Sequence, residues 1–187
     1  MNPIQQNPWK INGEKNVYQN PWISVTEFDV TNPSGGKGIY GKVHFKNTAV
    51  GVVALDENRN IILVGQYRFT VSAYSWEIPE GGAKEGTDPL EGGKRELLEE
   101  TGLKAAIWQP LLTMHLSNSV SDELAIVYLA TGLTQHEAEP EETEQLVIKK
   151  LPFEEAFQMV EDGLITDSMS VAAIIKVKLL SVEGKLT

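Results

Sequence analysis

The chain has 187 residues, with 41% hydrophobic and 22% charged, an ordinary composition for one domain with a buried core. Its 16 basic and 26 acidic residues give a net charge of −10, which argues against non-specific nucleic-acid or anionic-membrane binding. The absence of cysteine excludes disulfides, thiolate nucleophiles and thiolate metal sites. The longest apolar runs, residues 49–55 and 124–130, are far short of the roughly 20 needed for a membrane span. The polar N-terminus lacks the basic-then-apolar order of a signal peptide, so a cytoplasmic location is expected.

In chain order, the polar, Asn- and Gln-rich residues 1–16 are expected to be only partly ordered. Alternation over 22–30 and 39–45 around the turn Asn32-Pro33-Ser34-Gly35-Gly36 predicts a β-meander arm at 17–46. Two β-branched runs, 50–55 and 61–64, read as strands joined by a hairpin loop at 56–60. A short strand at 74–78 is broken by Pro79-Glu80-Gly81-Gly82. A helix then starts with Asp88 as N-cap, Pro89 at the first helical position and Glu91 closing a capping box. It runs to Thr101, with Gly102 as a left-handed C-cap. Strands are expected at 111–116, 124–129 and 146–150, with Pro110 interrupting the first of these ladders. An acidic loop occupies 136–145, and helices are expected at 152–161 and 167–180. The order predicts a mixed α+β fold.

The acid is uneven. Residues 80–100 hold six glutamates and residues 137–144 hold five. On the first helix, Glu96, Glu99 and Glu100 stand at i, i+3 and i+4, so three carboxylates share one face. A solvated face laced with ion pairs is one reading. The other is a divalent cation, since carboxylates with waters suit Mg²⁺ or Mn²⁺, and Mg²⁺ commonly also takes substrate phosphates. Arg95 can hold a neighbouring carboxylate bidentately. The histidines His44, His115 and His136 show no ligand spacing.

Gly81, Arg95-Glu96-Leu97-Leu98-Glu99-Glu100-Thr101-Gly102-Leu103 and the spacing between them resemble the signature of the Nudix hydrolases. Two departures stand out: Thr87 occupies the place of the signature's loop glutamate, and Gly92-Gly93 that of its small pair. Glu85 or Asp88 is a candidate to compensate for Thr87, and the glycine pair suggests a close approach of backbone to the helix. Gln66-Tyr67-Arg68, Trp76-Glu77-Ile78-Pro79 and Gly81-Gly82 are similar to the branch that cleaves ADP-ribose and nucleoside diphosphate sugars.

That resemblance implies an α/β/α sandwich with a mixed sheet (47–187), preceded by an antiparallel β arm (1–46) used in forming a homodimer. It implies Mg²⁺-dependent hydrolysis of the sugar nucleotide's diphosphate, with Mn²⁺ as an alternative metal. Glu96, Glu99, Glu100 and the main chain at Glu80 would be metal ligands. Arg68 would grip the diphosphate, and Glu77 would be a further substrate-binding residue. The catalytic base would lie on the late loop, at Glu142, Glu141 or Glu144, and Arg95 would support the metal carboxylates. Ser119, in the polar loop 117–123, is a candidate for the sugar, and Trp22 and Phe28 for stacking on a nucleobase, although strand aromatics are more often core. Cleavage of nucleoside triphosphates or dinucleoside polyphosphates, and a non-catalytic nucleotide-sugar sensor, stand as alternatives.

Overall fold

The computed structural model describes residues 6–138 and 145–186. Two compact units emerge. The first comprises the described residues up to Asn47 together with Ser117–Glu123; the second comprises Thr48–Leu116 and the described residues from Leu124 onward.

The first unit is a three-stranded antiparallel sheet in the order β1(Lys10–Gln19), β2(Ile23–Thr31), β3(Lys37–Phe45). The expected β2–β3 meander is present, and Gly35 turns it with φ 87°. The segment expected to be partly ordered instead contributes β1 from Lys10 onward. Its polar side chains hide a strand because all ten residues are exposed, so pairing to β2 rather than burial holds it. Register shifts between Ile11 and Gly13 and between Asn16 and Tyr18 accommodate the irregular pattern. The 117–123 loop lies against β3: Val43 N–H donates to Val120 O at 2.8 Å and Asp122 N–H to Val43 O at 3.2 Å.

The second unit holds two sheets, β10(Val147–Pro152)–β5(Asn60–Arg68)–β6(Ala73–Glu77) and β7(Glu80–Lys84)–β4(Asn47–Ala54)–β9(Leu124–Gln135)–β8(Leu103–His115). β4 runs parallel to β9 while β8 runs antiparallel to it, so the second sheet is mixed. Three helices, α1(Pro89–Thr101), α2(Phe153–Glu161) and α3(Ser168–Val182), cover both faces. The alternation along β4 shows how. Val52 and Ala54 pack with Leu97 of α1, whereas Val53 and Leu55 pack with Phe153, Ala156, Ile174 and Val177 of α2 and α3. A strand buried on both faces must be apolar at every position, which is why residues 49–55 form a continuous run.

Several local expectations change. The 56–60 loop does not close a paired hairpin. After a single bridge between Leu55 and Ile61, β4 and β5 enter different sheets. Asp56 Oδ1 accepts the amides of Asn58 and Asn60, and that side-chain turn redirects the chain. Pro79 does end β6, but β7 begins at once, at Glu80. Pro110 does not interrupt its ladder: β8 is continuous and absorbs the proline in a register shift between Pro110 and Leu112. On α1, Asp88 caps Leu90 N–H at 3.0 Å and Gly102 ends the helix at φ 69°, as expected. Glu91 does not reach back as a capping-box partner; its carboxylate takes Lys94 Nζ at 2.7 Å.

The paired glycines of α1 differ in purpose. A Cβ on Gly92 would lie 2.7 Å from Ala83 Cβ and 3.2 Å from its Cα, so the glycine lets α1 settle on β7. A Cβ on Gly93 would make only ordinary contacts, at 3.5 Å, with Tyr128 and Val52. Gly93→Ala is therefore expected to stabilise the protein by up to about 1 kcal/mol through helix propensity. Gly92→Ala is expected to destabilise it despite the same propensity gain. Denaturant melts of the two single variants give opposite signs if the close approach at Gly92 is real.

Candidate active site

The site assembles where the β6–β7 corner meets α1. The antiparallel register pairs Val64 with Glu77, Gln66 with Ser75 and Arg68 with Ala73. Gln66, Arg68, Ser75 and Glu77 therefore share one face of the hairpin. Arg68 Nε lies 2.9 and 3.0 Å from the two Glu77 oxygens, and its Nη2 donates to Glu77 Oε2 at 2.6 Å and to Glu80 Oε1 at 2.8 Å. Glu77 is only 2% exposed. Its carboxylate is thus engaged with Arg68, while the guanidinium keeps a partly exposed edge. Burial works against the charge on Arg68, but the hydrogen bonds it donates to Glu77 and the nearby negative charges outweigh it and hold the arginine charged.

Glu80 is the electrostatically strained member. Burial pushes its carboxyl well above the ordinary range, and the charges of Asp167 and Glu77 push the same way, outweighing Arg68. Among the described residues, no hydrogen-bond donor reaches its buried Oε2. The backbone of the same residue does separate work: Glu80 N–H donates to Glu100 Oε2 at 3.0 Å. Two residues on, Gly82 N–H donates to Glu96 Oε1 at 3.1 Å. Gly81 between them is required sterically. A Cβ there would stand 2.2 Å from Glu96 Cδ, so the carboxylate occupies the space a side chain would take.

Arg95 gathers the helix carboxylates. Its Nη1 donates to Glu99 Oε2 at 2.6 Å, and its Nη2 to Glu96 Oε1 at 2.6 Å and to Gly82 O at 3.0 Å. Glu96 and Glu100 are buried and Glu99 is half-buried. Burial raises the Glu96 carboxyl despite Arg95, with Glu99 adding to the rise. Among the described residues no group of three or more carboxylates or histidines already converges on one point, and Arg95 pairs with both Glu96 and Glu99. The donor set nonetheless fits a hard divalent cation: carboxylate oxygens on one helix face, backed by a glycine cradle and a raised carboxyl that positive charge would relieve.

Thr87, at the departure from the signature, donates through Oγ1 to Lys84 O at 2.6 Å and so closes the β7–α1 loop locally. Asp88 is committed to capping α1. Phe28 and Ser119 come together in the first unit, lining a cleft of about 440 Å³ with Trp9, Tyr40 and Lys42. Tyr40 Oη donates to Ser119 O at 2.7 Å. Trp22 is not among the residues lining that cleft; it is 64% exposed. His44, which showed no ligand spacing, has a partner in Asp122 Oδ2 at 2.9 Å. Glu141, Glu142 and Glu144 lie outside the described residues. The residues that the sequence reading did not find are Asp167 and Ser170 at the start of α3. Asp167 stood only as the first residue of the helix expected at 167–180, and nothing local shows that it faces Glu80.

Residues 45–167 match the model of the NUDIX domain. The chain belongs to the NUDIX family. Residues 9–43 match a second model, the nucleoside diphosphate sugar hydrolase N-terminal domain. The chain is 40% identical over 133 residues to an ADP-ribose pyrophosphatase of Mycobacterium tuberculosis, a match covering 69% of this chain and 64% of that one. It is 34% identical over 128 residues to a methanol dehydrogenase activator of Bacillus methanolicus, covering 67% and 69%. The solved structure of an ADP compounds hydrolase superposes with a TM-score of 0.84, at 22% identity, over 95% of this chain and 96% of that one, which shows the shared fold.

The raised carboxyls predict an unusual pH dependence. A carboxyl whose folded pKa lies above its unfolded value stabilises the fold below the unfolded pKa, and that contribution is lost as pH rises through the folded pKa. With Glu80 and Glu96 both raised, the metal-free protein is expected to lose stability as pH rises above about 4.5. Thermal melts in chelator across this range check it, and the double variant Glu80→Gln, Glu96→Gln is expected to flatten the slope.

Proposed function

We propose that this protein hydrolyses the diphosphate bond of nucleoside diphosphate sugars, such as ADP-ribose and ADP- or GDP-sugars, with the help of Mg²⁺. The observation that carries the reading is the pairing, in one chain, of an N-terminal segment matching nucleoside diphosphate sugar hydrolases with an intact carboxylate helix seated on a glycine corner. The similarity to an ADP-ribose pyrophosphatase of Mycobacterium tuberculosis supports the same substrate class. The Bacillus methanolicus relative bears a different name at similar identity, so the substrate is argued from the site as well as from likeness.

Glu96, Glu99 and Glu100, with the main chain at Glu80, would hold the metal. When bound, the metal neutralises diphosphate charge and lowers the pKa of a coordinated water. Arg95 keeps Glu96 and Glu99 on one face of α1 and would yield part of its grip to a bound cation. Arg68, with its remaining edge open, offers a guanidinium to the phosphates while Glu77 fixes its plane. The proton of the attacking water passes to a base on the late loop, for which Glu142 is the first candidate and Glu141 and Glu144 the others. Water adds across the P–O–P anhydride, giving a nucleoside monophosphate and a sugar phosphate. In the first unit, Phe28 offers a ring face to a nucleobase and Ser119 a hydroxyl to the sugar, with Trp22 a further exposed aromatic.

We further propose that it works as a homodimer in the cytoplasm. The arm sheet leaves Tyr18, Trp22 and Ile39 exposed, an apolar surface that a second copy would cover. Among the described residues no helix is long and apolar enough to cross a membrane.

Turnover of ADP-ribose, ADP-glucose, GDP-mannose and ATP with and without Mg²⁺ tests the reaction. Sugar nucleotides are expected to be cut faster than ATP, with none cut in chelator. Because metal charge stabilisation is worth several kcal/mol, Glu99→Gln, Glu100→Gln is expected to lower kcat by about 10³-fold. Full activity in that variant sinks the metal assignment, and binding without turnover by the wild type would make the protein a sensor.

A further inference from the structure

The β6–β7 corner has an anchor that the hydrolytic site does not include. Ile78 lies between the two strands, outside both ladders. Its N–H donates instead to Ser170 Oγ at 2.9 Å, a buried hydrogen bond spanning 92 positions of sequence. Ser170 is 0% exposed. Its own N–H is taken by Asp167 Oδ2 at 2.7 Å, the N-cap of α3. The next residue, Pro79, has no N–H, and its carbonyl accepts Val52 N–H at 2.9 Å. The corner is therefore pinned from one direction by α3 and from another by β4. Immediately beyond it come Glu80 N–H, bonded to Glu100, and Gly82 N–H, bonded to Glu96.

We propose that Ser170, seated by Asp167, is a positioning residue that fixes the corner against which the metal-binding carboxylates of α1 are registered. This rests on the reading of the site as a metal-dependent hydrolase. A hydroxyl is unusual at a fully buried helix position. Here it is the acceptor for an amide that would otherwise be buried without a partner, a cost large enough to shift the backbone. A shift at Ile78 is passed two residues on to Glu80, whose amide orients Glu100. Glu77, immediately before Ile78, and Glu80 both hold Arg68, so the same shift disturbs the arginine. Asp167 also stands within electrostatic reach of Glu80 and Arg68.

The test is Mn²⁺ binding, followed by the magnetic resonance signal of free Mn²⁺, on wild-type protein and on Ser170→Ala. Loss of the acceptor is expected to weaken Mn²⁺ about tenfold, the scale seen when outer partners of metal ligands are removed. Steady-state kinetics on ADP-ribose are expected to show kcat lowered by a similar factor with KM within about twofold. If Ser170→Ala fails to fold, Asp167→Ala carries the test at a partly exposed position. It should weaken Mn²⁺ in the same direction, while Asp167→Asn, which can accept the same amide, restores it. Mn²⁺ affinity and kcat within twofold of wild type in a folded Ser170→Ala or Asp167→Ala overturn the positioning role, as does an Asp167→Asn variant as impaired as Asp167→Ala. Wild-type protein that binds Mn²⁺ yet cleaves no sugar nucleotide would overturn the functional reading alone, because the Mn²⁺ titrations still decide the role of Ser170.

Discussion

Everything at this site depends on seating buried carboxylates against a strand corner. Glu96 and Glu100 project from α1 into the amides of Gly82 and Glu80, where two N–H groups and Arg95 must offset their lost hydration. The offset is incomplete. Burial raises Glu80 and Glu96 even with arginines beside them. A cluster of this kind is costly to the bare fold and is relieved by added positive charge, which gives the divalent ion a physical reason before any chemistry is considered. The net charge of −10 bears on the same point: an acidic protein would need cations between itself and the proposed anionic substrate.

The rest of the fold can be understood as support for that seating. Gly81 leaves room for the Glu96 carboxylate, and Gly92 lets α1 approach β7 closely enough for the contact. Leu97 points the other way, fully buried with Val52 and Ala54, so the helix is locked in rotation by its apolar face while its acidic face meets the corner. Arg68 and Glu77 lock the hairpin beside it, and α3 pins Ile78. Precision within a fraction of an ångström is what metal and phosphate chemistry requires, and it is supplied here by strands and helices rather than by loops.

Much of this was legible in the residues. The i, i+3, i+4 spacing of Glu96, Glu99 and Glu100, the cap at Asp88 and the left-handed Gly102 are local features, and local rules recover them. The mixed α+β class followed from element order, and the sandwich from the family resemblance. What failed was non-local. The polarity of β1 concealed a strand held by pairing alone, and the expected 56–60 hairpin split between two sheets because a side-chain turn at Asp56 outweighs proximity in sequence. Pro110 was read as a break, but a bulge absorbs it. At the site, the contact between Glu77 and Arg68 has no local signature, and only the pairing of β5 with β6 reveals it. The link from Ser170 to Ile78 joins residues 92 apart and has no local signature at all.

The central claim is that the acidic face of α1 becomes a metal site when charge arrives, with Arg95 yielding Glu96 and Glu99. The most direct measurement is a crystal grown with Mn²⁺ and a non-hydrolysable methylene analogue of ADP-ribose, examined for anomalous scattering. Peaks at about 2.0–2.3 Å from oxygens of Glu96, Glu99 or Glu100, with the analogue's diphosphate on the same ions, are the expected result. A fully bound analogue with no anomalous peak beside those carboxylates, and with Arg95 still clasping Glu96 and Glu99, would contradict it.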